Sequence, residues 1–199
     1  MSDRRAEFAS RFPGAIILPF DGSWPEIADD AFIAPGAVLV GNVTVGSQSS
    51  VWFNTTIRGD IAPVTIGART SVQDNTVVHV NKDAPTTVGD DVTIGHSALV
   101  HGTTIHDGAM IGMGSLVLSY SVIGKGAVIA AGALIPERHE VPDGAVMIGI
   151  PAKQRDKLGE EQIERLAGIP DRYVRVSRRY IGIVNGTTSG EEEDATSEY

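Results

Sequence analysis

Residues 105–141 read IHDGAM IGMGSL VLSYSV IGKGAV IAAGAL IPERHE V, and every block of six opens on Ile or Val. The aliphatic positions are Ile105, Ile111, Val117, Ile123, Ile129, Ile135 and Val141. The same spacing extends upstream through Val88, Ile94 and Val100, through Ile66, Val72 and Val78, and through Ile27, Ile33, Leu39, Val45, Val51 and Ile57. The residue after each aliphatic is often Gly or Ala, and the fifth position is usually small, as at Ala31, Ala37, Ser49, Thr55, Thr76, Ala98, Ala109, Ser115, Ala127 and Ala133. Six residues make one short strand and one tight corner. Three such units close a triangular coil, with the aliphatic side chains stacked inside and successive coils about 4.8 Å apart. The period therefore predicts an all-β solenoid, a parallel β-helix, over residues 27–150.

The flanks read differently. Residues 1–26 are expected to form an N-terminal strand or cap. After Val141, the run PDGAVMIGIPAK suits a last strand and exit turn. Residues 151–184 carry helical spacing: Ile163, Leu166 and Ala167 in one piece, then Tyr173, Ser177, Tyr180, Ile181 and Val184 on one face of a second. A C-terminal helix is thus expected to pack along the flat side of the prism, with Pro170 either starting it or kinking one longer helix. Residues 185–199, rich in Gly, Thr, Ser and Glu, form an acidic tail too poor in apolar groups to fold.

The formal net charge is −9, but five acids (Glu191, Glu192, Glu193, Asp194 and Glu198) lie in the tail, and without them −4 remains. Such a surface argues against nucleic acid and anionic membrane as partners. With 0 Cys, disulfides and thiolate metal sites are excluded, so a transition metal would be held by His, carboxylate or water. No apolar run approaches the roughly twenty residues of a membrane span, and the N-terminus has no apolar core of signal length, so a cytoplasmic location is expected.

The register assigns directions to the histidines. Two insertions, DIAPVT after Ile57 and VNKDAPTT after Val78, lengthen two corners. Ile57, Val78 and Val100 then share a face on successive coils, while Val51, Val72 and Ile94 share the preceding one. Arg58, His79 and His101 form one outward column; Phe53, Asp74 and His96 form another. His79 and His101 are one coil apart, close enough to share a metal whose bonds to imidazole are near 2 Å. His96 lies across a corner and is not expected to close on the same ion within one chain. If faces of two subunits meet, His96 of one completes the pair on the other, and cyclic closure of a triangular prism gives a homotrimer with a metal site at each interface.

The run from WFNTTIRGD through VQDNTVVHV to IGHSALVHG resembles the gamma-class carbonic anhydrases, in order and spacing, over about residues 15–150. The resemblance implies the left-handed form of the β-helix. It implies that His79, His96 and His101 ligate Zn²⁺, with Fe²⁺ or Co²⁺ as alternatives, and that Gln73 orients the bound water. It further implies that Arg58, Asp60 and Asp74 form an ion-pair network across the trimer interface. Tyr173, with Tyr180 as the alternate, corresponds to a C-terminal tyrosine near the metal. Ile61 and Lys82 stand where the best-studied member has glutamates used in catalysis and proton transfer, so Asp60, a tyrosine or buffer would have to carry the proton away. His106 and His139 lie away from the ligand column. On this reading a divalent cation on three neutral imidazoles lowers the pKa of bound water to near 7, a value for which carbonic anhydrases are themselves the reference case, and the resulting hydroxide converts carbon dioxide to bicarbonate.

Two other readings use the same sequence. GIPAK resembles the exit segment of hexapeptide acyltransferases, which handle coenzyme A thioesters and use one His as general base. A catalytically silent trimer stapled by metal is the third.

Overall fold

The computed structural model describes residues 2–155 and 158–187. It is a left-handed parallel β-helix of about 7 turns followed by helices. The first face carries Ile16–Leu18, the leading halves of Val38–Val45 and Thr56–Ile66, then Val77–His79, Leu99–His101, Leu116–Val117 and Leu134–Ile135. The second carries Glu26–Ile27, the trailing halves of the same two long strands, then Thr86–Val88, Thr104–Ile105, Val122–Ile123 and Glu140–Val141. The third runs from Phe32–Ile33 through Ser50–Val51, Ser71–Val72, Thr93–Ile94, Met110–Ile111 and Val128–Ile129 to Val146–Ile148.

Each hexad builds its own corner. Three residues beyond the inward aliphatic the backbone takes positive φ: Asn54 after Val51 (58°), Asn75 after Val72 (59°), Ser97 after Ile94 (59°) and Gly114 after Ile111 (65°). A left-handed residue at this point of a turn redirects the strand, which is why Gly, Asn and other turn-tolerant residues recur there. Gly112 has a different reason: a Cβ on it would lie 2.4 Å from the backbone nitrogen of Ala131 on the next coil. The aliphatics close the core, with Ile94, Val100, Ile111, Val117, Ile123, Ile129 and Ile135 all at 0% exposure. Each contributes about 1.5–3 kcal/mol by leaving water. At three fifth positions the hydroxyl bonds to a carbonyl of the next coil: Ser49 to Gly67 (2.6 Å), Thr55 to Gln73 (2.7 Å) and Thr76 to Gly95 (3.1 Å).

The helix begins earlier than the expected residue 27. Ile16–Leu18 already pairs with Val38–Val40, and the turn-rich PFDGSWPE that follows breaks the six-residue spacing before Ile27. Ahead of it, α1 (Ser2–Arg11) lies over the first coil, where Phe8 and Phe12 join the core and Phe8 meets Trp24 at 6.0 Å between ring centroids. Residues 1–26 thus hold both a helical cap and a strand, Ile16–Leu18. At the other end Lys153–Arg155, expected to be helical, pairs antiparallel with Val146–Ile148. Pro170 starts a second helix: α2 spans Glu160–Ala167 and α3 spans Ile169–Val184. The α3 residues Tyr173, Val176, Tyr180, Ile181 and Val184 pack on Phe32, Ala34 and Trp52. Of the tail, residues 188–199 lie outside the described residues. Among the described residues no helix is long and apolar enough to cross a membrane.

Candidate metal centre

The first insertion does not loop out. Gly41 pairs with Gly59 and Val43 with Val64, so residues 60–63 bulge within one long strand, opposite Asn42. A bulge re-aims side chains, and here Asp60 reaches the histidine column. The second insertion turns back on itself through an antiparallel bridge between Asn81 and Ala84.

His79 pairs in register with His101 on the next coil. Their ring centroids are 5.0 Å apart, and His79 Nδ1 stands 3.1 Å from His101 Nε2. Two ligand nitrogens at 2.0–2.1 Å from one metal and 3.1 Å from each other subtend about 100°. That is close to tetrahedral, so the separation of the two nitrogens suits a shared divalent cation once both lone pairs turn towards it. The other nitrogen of each ring is also held: His79 Nε2 lies 2.9 Å from Asp60 Oδ1, and His101 Nδ1 lies 2.9 Å from Ser119 Oγ. Arg58 closes the row by pairing with Asp60. Burial alone would raise the Asp60 pKa, but hydrogen bonds from His79 and Arg58 outweigh it and hold the carboxyl below its usual range. For His101, burial and then the nearby His79 and Arg58 charges push the imidazole below 6.5. A neutral imidazole is the form that binds metal.

His96 lies at the opposite edge of the first face, on the corner that follows the third face. Its Nδ1 is 2.8 Å from Asp74 Oδ2, one coil earlier. Among the described residues of one chain, no three His, Cys, Asp or Glu side chains converge as a metal site. The structure therefore brings His79, His101, Asp60 and Arg58 together at one edge, and His96 and Asp74 together at the other.

Gln73 is buried beside Asp74 at 5% exposure, stacked over Trp52, whose indole N–H reaches Ser50 and Ser71. Tyr173 meets Trp52 edge-on at 5.5 Å, and Tyr180 meets Phe32, Trp52 and Phe53. Both tyrosines thus sit on the His96 edge. Ile61 and Lys82 are exposed beside the His79 edge. Sequence reasoning missed Ser119 and Asn81, whose Nδ2 donates to Ser119 Oγ at 2.9 Å.

A prism of hexapeptide coils places this chain among the hexapeptide-repeat β-helix proteins, and residues 102–137 match the family model described as bacterial transferase hexapeptide (six repeats). A carbonic anhydrase of Geobacillus kaustophilus is 39% identical over 174 residues, which is 87% of this chain and 96% of that protein. Gamma carbonic anhydrase 2 of Arabidopsis thaliana, a mitochondrial protein, is 40% identical over 80% of this chain but only 59% of its own length. Among solved structures, a Bacillus cereus protein described only provisionally as an acetyltransferase superposes with a TM-score of 0.84 at 39% identity, covering 85% of this chain and 99% of that one. The chain belongs to the gamma-class carbonic anhydrase family.

Proposed function

We propose that this protein is a carbonic anhydrase that hydrates carbon dioxide to bicarbonate at metal sites between the subunits of a homotrimer. The observation that carries the reading is the division of donors across the first face: a histidine pair spaced for one cation at one edge, and a single carboxylate-held histidine at the other. Between the two edges the outward residues Val77, Leu99, Leu116 and Leu134 form an apolar ridge, whereas the second face presents Thr65, Thr87, Thr104, Val122 and Glu140 at the matching positions, all polar but Val122. A ridge of this kind suits burial against another copy, and cyclic closure would bring His96 of one subunit to His79 and His101 of the next.

In this reading His79, His96 and His101 hold the ion; zinc is the first choice, and iron(II) or cobalt(II) also accept imidazole. When bound, a cation there supplies a water acidic enough to yield hydroxide near neutral pH. The chain's own groups do the rest. Asp60, kept ionised by Arg58 and His79, accepts a hydrogen bond from the His79 ring and orients it. Asp74 fixes the His96 ring, and Gln73 orients substrate or water by its amide. Tyr173 lines the same edge. Acyl transfer through a single general-base His needs no convergence of three imidazoles, which sets it apart from the anhydrase reading; a silent trimer stapled by metal would share the three ligands and differs only in lacking turnover.

The test is stopped-flow hydration of carbon dioxide by anaerobically metallated protein beside a His96→Ala variant. We expect activity in the first and its loss in the second; equal rates would overturn the enzymatic reading.

A further inference from the structure

Ser119 and Asn81 take no part in the chemistry above, yet they complete the histidine pair. The arrangement can be followed from one end. Asp60 is ion-paired with Arg58 and, as a carboxylate, only accepts, so His79 must donate to it from Nε2. In its neutral form, the one competent to bind metal, His79 then carries its lone pair on Nδ1, 3.1 Å from His101 Nε2. In the metal-free protein His101 satisfies that lone pair by donating from Nε2, which leaves His101 Nδ1 as an acceptor. The Ser119 hydroxyl, 2.9 Å away, is its donor. Asn81 Nδ2 donates in turn to Ser119 Oγ at 2.9 Å. No group in this chain of contacts lacks a partner.

A cation on His101 Nε2 requires that nitrogen to be bare. The ring stays neutral, so its proton must sit on Nδ1: one proton leaves Nε2 for solvent and one enters Nδ1 from solvent, with no net change. Nδ1 is now a donor, and its partner must accept. A carboxylate could accept but never donate, and an amide nitrogen could donate but never accept; a hydroxyl does both. Resting on the assignment of His101 as a metal ligand, we propose that Ser119, held by Asn81, is the positioning residue for His101, reversing its hydrogen bond as the imidazole changes tautomer on taking up metal.

Three features make the arrangement a built one. Ser119 is buried at 3% exposure. The residue between is Gly102, where a Cβ would stand 3.1 Å from Ser119 Oγ. Asn81 reaches Ser119 across 38 residues of sequence because the VNKDAPTT insertion turns back at the Asn81–Ala84 bridge.

The experiment uses the full chain and Zn²⁺. Nitrogen-15 NMR of histidine-labelled protein reads the His101 tautomer directly: we expect the proton on Nε2 without metal and on Nδ1 with Zn²⁺. By competition with a chromogenic chelator, Ser119→Ala should weaken Zn²⁺ binding about 10–100-fold, as loss of a ligand's outer partner usually does. Ser119→Thr, which keeps the hydroxyl, should restore it, and Asn81→Ala should weaken it in the same direction, a measurement that stands even if Ser119→Ala does not fold. An Nδ1 proton in both states, or wild-type affinity in both Ser119→Ala and Asn81→Ala, overturns the proposal. A His101→Ala control separates the two levels. If it binds Zn²⁺ as tightly as the wild type, the metal assignment itself fails and the proposal with it; if it loses Zn²⁺ while Ser119→Ala and Asn81→Ala both keep it, only the role of Ser119 fails.

Discussion

Asp74 Oδ2 stands 2.8 Å from Nδ1 of His96, so the one histidine on its edge of the prism is turned by a carboxylate from the coil before it. A carboxylate on one ring nitrogen fixes the orientation of the other and makes it a better ligand. Asp74→Ala is therefore expected to weaken metal binding about 10–100-fold while leaving the fold intact, and Asp74→Asn, which keeps an acceptor, to weaken it less. Chelator competition alongside circular dichroism checks both.

The division of ligands between subunits can be tested by complementation. His79→Ala and His96→Ala proteins, each metal-deficient, carry lesions on opposite sides of every contact. Trimers assembled from a mixture should regain metal at those interfaces where both intact edges meet. Mixed trimers, isolated through two affinity tags, that hold no more metal than the parents would refute the shared site.

Leu116 lies on the outward ridge one coil beyond Leu99, clear of the histidines. A charge there would be buried without a partner if subunits meet on this face. Leu116→Glu should elute as a monomer in size exclusion with light scattering and lose its metal, although every proposed ligand remains.

His101 gives the metal-free protein a definite pH dependence. Its folded pKa lies below 6.5, because burial and neighbouring positive charge disfavour the imidazolium. The unfolded chain therefore binds a proton that the folded chain refuses. Stability from this residue is full above about pH 6.5 and is lost as pH falls below it. Urea midpoints of metal-free protein between pH 7.5 and 5 should fall, and His101→Asn should flatten the fall.

The core offers a stability prediction. Ile129 is 0% exposed, whereas Ile150 is 74% exposed. Ile129→Ala should cost about 2–5 kcal/mol by lost burial and cavity formation, and Ile150→Ala under about 0.5 kcal/mol. Urea unfolding monitored by circular dichroism compares the two.

The prism was legible because its period is local: Ile105 to Val141 state it without help from tertiary context. Register then followed by counting, and the paired strands place His101 on His79 and His96 at another corner, as the count requires. Counting failed wherever the period lapsed. The strand at Ile16–Leu18 is hidden by the irregular segment before Ile27, and α1 is betrayed only by Phe8 and Phe12 four residues apart. Contacts that skip a coil are not written in a nearest-neighbour pattern at all. Asn81 and Ser119 meet because an insertion leaves the hexad lattice and comes back, and no spacing rule carries that path. Tyr173 shows another gap: helical phasing gave its face but not which edge of the prism that face would meet.

The two ends of the solenoid have a consequence for assembly in the crowded cell. Every coil is a template for another, so a bare terminal coil would recruit the next molecule and grow a fibre. Here α1 lids one end with Phe8 and Phe12, and the antiparallel strand Lys153–Arg155, running against the direction of the stack, occupies the edge of Val146–Ile148 at the other. A plug at one end and a reversed strand over the last strand of the third face at the other both oppose growth of the stack along its axis, and so favour the flanks as the surfaces for contact between copies of this chain.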